Sequence, residues 1–84
     1  MITVRMLFFA HLQDVARAHE MAVTLPTGAM VRDAAKVLAA RATGFENLLT
    51  LTRVAVNAEF ADADTVLSEN DEVAWLPPMS GGAQ

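Results

Sequence analysis

Residues 77–84 read PPMSGGAQ, and the glycine pair is where this sequence comes nearest to chemistry. Glycine lacks a β-carbon, so a Gly81-Gly82 segment can thread a channel that rejects any side chain. Pro77 and Pro78 stiffen the approach and project the chain outward in an extended form. From Met79 to Gly82 the reach is about 13–14 Å, at roughly 3.4 Å per residue. A tail of this kind can carry its end into another protein's active site. Glycine and serine are also common in ordinary frayed termini, so the pair alone decides nothing.

No other constellation amounts to a self-sufficient active site. His11 and His19 lie in or beside a loop, with no serine or cysteine at a suggestive spacing, and read as surface histidines. The carboxylates Glu59, Asp62, Asp64, Glu69, Asp71 and Glu72 gather late in the chain. Their DAD stretch lacks the ligand count and the glycine of a calcium loop, so no metal site is expected. A solvated acidic surface that can meet a basic partner is the simpler reading. Ser68 and Ser80 have no recognisable base.

Composition narrows the classes further. The chain has 84 residues, 54% of them hydrophobic, and no cysteine. That is one domain able to form a core, without disulfides, thiolate metal sites or cysteine nucleophiles. Its formal charge of −4, with Lys36 as the one lysine and five scattered arginines, argues against nucleic acid. No apolar run approaches the roughly 18 residues of a membrane span. The start, MITVRMLFFAH, is broken by Thr3 and Arg5 and lacks a basic opening, which argues against a signal peptide. No membrane association is expected, and the cytoplasm is the default location.

The elements that must carry the tail follow from periodicity. Residues 2–9 alternate, with Ile2, Val4, Met6 and Phe8 on one side and Thr3, Arg5, Leu7 and Phe9 on the other, the pattern of a strand. Leu12, Val15 and Ala16 predict a short helical turn. Residues 20–25 alternate again and should pair antiparallel with the first strand. After the PTG punctuation, Val31, Ala34, Ala35, Leu38 and Ala42 form the stripe of an amphipathic helix. Thr27 is the better capping side chain at its start, Met30 a poor one, and Gly44 a plausible stop. Strands are expected at 53–57, at Glu59–Ala61 and at 72–76, with a helical turn near Thr65–Leu67 and a turn at Asn70-Asp71. The diproline ends the last strand because proline cannot donate to a ladder.

This order predicts an α+β fold, one main helix on one face of a mixed sheet of four to five strands. Residues 1–78 form the domain and 79–84 a flexible tail. The other face of the sheet stays partly open, with Leu7, Phe9, Ala55 and Leu76 as its apolar positions. Either loops cover them or they form a partner patch.

The stretches VNAEF and DTVLSENDEVAWLPPMSGG, together with LFFAHLQDVA near the start, resemble the small subunit of molybdopterin synthase, the MoaD family. That family belongs to the ubiquitin-like sulfur carriers, with the thiamin carrier ThiS as a relative. The resemblance spans residues 2–82 and implies the β-grasp fold, in agreement with the element order. It also implies that the chain binds no cofactor and has no complete active site. A MoeB-like adenylating enzyme would spend ATP to activate the terminal glycine carboxylate. A sulfur donor would then convert the acyl-adenylate to a thiocarboxylate, and the tail would enter a MoaE-like large subunit that builds the dithiolene on a pterin precursor. Carried over, Gly82 bears the sulfur, Gly81 permits passage, and Phe9, Leu76, Pro77, Pro78, Met79 and Ser80 contact partners.

Ala83-Gln84 departs from the family pattern, because Gly82 in a peptide bond cannot be adenylated. Removal of the two residues by a processing protease is the leading expectation; a cloning remnant or a diverged chain without carrier function are the alternatives. A carrier for thiamin or cysteine synthesis and a ubiquitin-like modifier or interaction module are the competing functions. Length leans against thiamin, whose carriers tend to be shorter.

Overall fold

A computed structural model describes residues 1–77. The elements are β1 (Ile2–Phe8), α1 (His11–Ala16), β2 (Glu20–Leu25), α2 (Val31–Arg41), α3 (Leu48–Leu51), β3 (Arg53–Val56), β4 (Glu59–Ala61) and β5 (Glu72–Leu76). The strands form one sheet in the order β2-β1-β5-β3-β4. β1 and β5 run parallel at its centre, and every other neighbouring pair is antiparallel.

Alternation decides which way each strand faces. Ile2, Val4, Met6 and Phe8 of β1, Val23 and Leu25 of β2, Val54 of β3, and Val73 and Trp75 of β5 point into one core. The α2 stripe of Val31, Ala34, Ala35 and Leu38 closes that core from the helix side. Trp75 is fully buried, and its indole N–H donates to the Met6 sulfur at 3.2 Å. A buried tryptophan needs such a partner, because an unpaired N–H in an apolar interior is costly.

Two expectations need correction. Thr27 does not cap α2. Pro26 to Ala29 instead form a turn closed by the Ala29 N–H on the Pro26 carbonyl at 3.0 Å, with Gly28 at φ 90°. The helix begins after Met30, whose own N–H is taken by the Asp33 carboxylate at 2.8 Å. Residues 65–67 make no helical turn. They run beside the start of α2, where Val66 bridges Met30. The Thr65 and Ala63 carbonyls accept from the N–H groups of Val31 and Arg32 at 2.9 and 3.0 Å. First-turn N–H groups have no partner inside a helix, so this segment serves as an external cap that the local sequence does not reveal. The short helix α3 was not foreseen; its four residues carry too little periodicity to announce it.

β3 and β4 join through a two-residue turn in which Asn57 (φ 52°) and Ala58 (φ 69°) both have positive φ. Such a turn matches the twist of an antiparallel pair. It also fixes the register Val56↔Glu59 and Ala55↔Phe60, which sets the geometry of the open face.

Candidate functional site

The side chains of alternate parity assemble the face that α2 leaves uncovered. Cross-strand register places Leu7 beside Ala74, Ala74 beside Ala55, and Ala55 beside Phe60. This row crosses four strands as large, small, small, large. Two alanines therefore floor a groove with Leu7 at one wall and Phe60 at the other. Phe9, Leu76 and Ala58 complete its apolar lining, and Glu72 lies at its edge. Ala55 is 7% exposed yet lies outside the core cluster, because its cover comes from neighbours on this outer face.

Phe9 sits just past the end of β1 and is 40% exposed. Its neighbour Ala10, at φ 53° and ψ −136°, turns the chain into α1 while the Phe9 carbonyl accepts from the Leu12 N–H at 3.1 Å. Phe60, at 69%, is the more exposed of the two rings. An apolar strip of this kind, rimmed by polar groups and left uncovered by the described loops, has the character of a protein–protein contact surface. Arg5 and Glu72 form the rim at the end away from Pro77, paired at 3.4 Å.

The predicted site residues divide at Pro77. Phe9 and Leu76 share the groove, and Leu7 and Ala55 join them as expected. Pro77 directly follows β5, so the chain leaves the sheet from the strand that supplies Ala74 and Leu76. Pro78, Met79, Ser80, Gly81 and Gly82 lie outside the described residues. Sequence reasoning missed Phe60 and Ala74. Ala74 shares its parity with Leu76, and Phe60 follows once Asn57-Ala58 is read as a two-residue turn, so both signals were present.

The late carboxylates fasten turns. Glu69 accepts from the Thr3 N–H at 3.0 Å, and Asp71 accepts from the Ser68 N–H at 2.7 Å and from the Asn57 side chain at 2.9 Å. Asp62 accepts from the Asp64 N–H at 2.9 Å, and Asp64 pairs with Arg32. Among the described residues no three acidic, histidine or cysteine side chains are grouped to hold a metal ion. His11 and His19 are exposed. Among the described residues no helix is long and apolar enough to cross a membrane.

Comparison with known proteins agrees with this arrangement. Residues 6–82 match the model of the ThiS family. A Drosophila erecta protein named molybdopterin synthase sulfur carrier subunit is 34% identical over 84 residues, covering 96% of this chain and 92% of its own. Among solved structures, a Pyrococcus furiosus chain described as molybdopterin converting factor, subunit 1, superposes with a TM-score of 0.86 at 26% identity, covering 94% of this chain and all of its own. Small archaeal modifier protein 1 of Haloferax volcanii gives a TM-score of 0.82 at 27% identity, over 95% of this chain and 99% of that one. A Helicobacter pylori complex of subunits 1 and 2 of molybdopterin-converting factor supplies a further match in fold, with a TM-score of 0.69 at 20% identity over 96% of this chain and all of that one. The five-stranded β-grasp sheet, the family match along 6–82 and the identity to a sulfur carrier subunit meet in one conclusion: the chain belongs to the ThiS family, in its MoaD group of molybdopterin synthase sulfur carriers.

Proposed function

We propose that this protein is the sulfur carrier subunit of a molybdopterin synthase and that it delivers sulfur as a thiocarboxylate on Gly82. The observation that carries the reading is that the family match runs through the glycine pair and stops on Gly82. The open face adds to it, because Leu76, which lines the groove, is the last residue of β5 and is followed directly by Pro77.

The chemistry assigns little to this chain beyond presenting an end. A carboxylate is a poor electrophile. Once the peptide bond after Gly82 is hydrolysed by a processing protease, a MoeB-like enzyme joins the freed carboxylate to the AMP of ATP and releases pyrophosphate. Attack by a sulfur donor on the acyl carbon expels AMP and leaves the thiocarboxylate. In the large subunit the sulfur passes to the pterin precursor, and water restores the carboxylate. ATP is the partner enzyme's substrate and is not held by this chain. The groove docks the MoaE-like subunit while the narrow Gly81-Gly82 end enters that subunit's site.

The neighbour named a modifier protein points to a second use of the same end, in which a lysine amine displaces AMP. The 34% identity to a molybdopterin synthase sulfur carrier subunit favours the synthase reading.

A form ending at Gly82, incubated with the adenylating enzyme, ATP and sulfide, is expected to gain the mass difference between sulfur and oxygen on intact-mass analysis. The form that retains Ala83-Gln84 is expected to gain nothing. Failure of the Gly82-ended form to load, while an established carrier loads with the same enzyme, would contradict the proposal.

A further inference from the structure

The groove has a charged edge that its apolar contacts do not explain. Arg53 lies on the open face in register with Leu76. Its guanidinium carbon stands 4.8 Å from the centre of the Phe60 ring. Arg5, the other arginine of this face, is engaged by Glu72. Arg53 is exposed and, among the described residues, has no carboxylate within ion-pair distance.

We propose that Arg53, seated on Phe60, is a specificity determinant of this face and recognises a carboxylate on the subunit that docks there. The inference rests on the synthase reading and names the chemistry its partner must carry. Cross-strand neighbours stand about 5 Å apart at their β-carbons, so a surface that covers Leu76 also covers Arg53. Covering the guanidinium strips its water, and a desolvated, unpaired arginine weakens an interface strongly. The Phe60 ring attracts the cation but offers no acceptor to its N–H groups. A carboxylate does, in the two-point geometry that the planar fork of arginine favours.

The ring also restricts where the guanidinium can go, which reduces the side-chain entropy lost on docking. Net charge supplies no substitute. At −4 the chain as a whole repels acidic surfaces, so attraction to one must come from a placed cation. The occupant is therefore a ridge of the partner subunit whose apolar side chain enters above Ala55 and Ala74. An aspartate or glutamate beside it meets Arg53.

Titration of Gly82-ended chain against the large subunit at two salt concentrations tests this. Arg53→Glu is expected to weaken binding by at least about 30-fold, since it replaces an attraction with a repulsion at a covered site. Arg53→Lys keeps the charge without the fork and is expected to lose about 3- to 10-fold. Arg53→Ala is expected to show a shallower dependence of affinity on salt than the native chain. Because Arg53 is exposed, the variants should keep the native amide spectrum, which NMR verifies. Arg53→Glu binding within about twofold of the native chain, with unchanged salt dependence, would overturn the proposal, given the effect expected of a covered charge. A native chain that fails to bind the large subunit would instead overturn the synthase reading on which it rests.

Discussion

Leu76→Asp is expected to abolish capture of the large subunit while leaving a folded domain. Leu76 is half-buried on the open face, between Phe9 and Arg53 and immediately before the point where the tail departs. Any partner that receives the tail must seal this position. An aspartate there removes the apolar contact and sets a carboxylate beside Arg53, its cross-strand neighbour, which it would engage in the partner's place while the partner's apolar surface closes on a charge. The loss should reach about 100-fold or more in Kd, or about 3 kcal/mol. The fold depends much less on this residue, because its side chain points away from the α2 core, and a cost of about 1 kcal/mol is expected. Calorimetric titration against the large subunit, beside a thermal melt, separates the two effects. Binding within a few-fold of native would remove the groove from the interface.

Trp75→Ala, one residue earlier, is expected to do the opposite. Trp75 is fully buried, lies in register with Phe8 and Val54, and donates its indole N–H to Met6. Truncation to alanine leaves a cavity that the sheet and α2 cannot close, at a cost of about 3–5 kcal/mol. Domains of this size hold about 4–12 kcal/mol in all, so the variant should be close to unfolding at growth temperature. Its melting point should fall by roughly 15 °C or more. Trp75→Phe keeps most of the ring volume and should lose about 1–2 kcal/mol, which separates ring packing from the N–H contact. A Trp75→Ala melt within a few degrees of native would show that the core does not centre on this residue. Adjacent residues of β5 thus divide fold from function because strand side chains alternate between faces.

How far the sequence was legible depends on the range of the forces involved. β1, β2, β5 and the α2 stripe were plain because each is set by its own periodicity, and the hydrophobic pattern leaves one way for each to face. The start of α2 was misread because its cap comes from residues 63–65, about thirty positions downstream, and no local preference encodes such a partner. The same docking explains why Thr65–Leu67 is extended: the Thr65 carbonyl is spent on α2 and the Leu67 N–H on Ala29, while the Thr65 N–H closes the turn that begins at Asp62.

At the site, Leu7, Phe9, Ala55 and Leu76 could be assigned to the open face by parity alone. Phe60 required the register of the Asn57-Ala58 turn, and Arg53 required knowing both its strand partner and the ring beneath it. The glycines carry their meaning in the sequence itself. Absence of a side chain is read from residue identity, and the family match reaches them.

The most direct measurement of the carrier function is the intact mass of this protein isolated from its native host while that host is making molybdenum cofactor. Carrier function predicts a chain ending at Gly82, with a fraction heavier by the exchange of one oxygen for sulfur. A population in which Gly82 remains in peptide linkage throughout, with no form bearing a free or sulfur-loaded glycine, would contradict it.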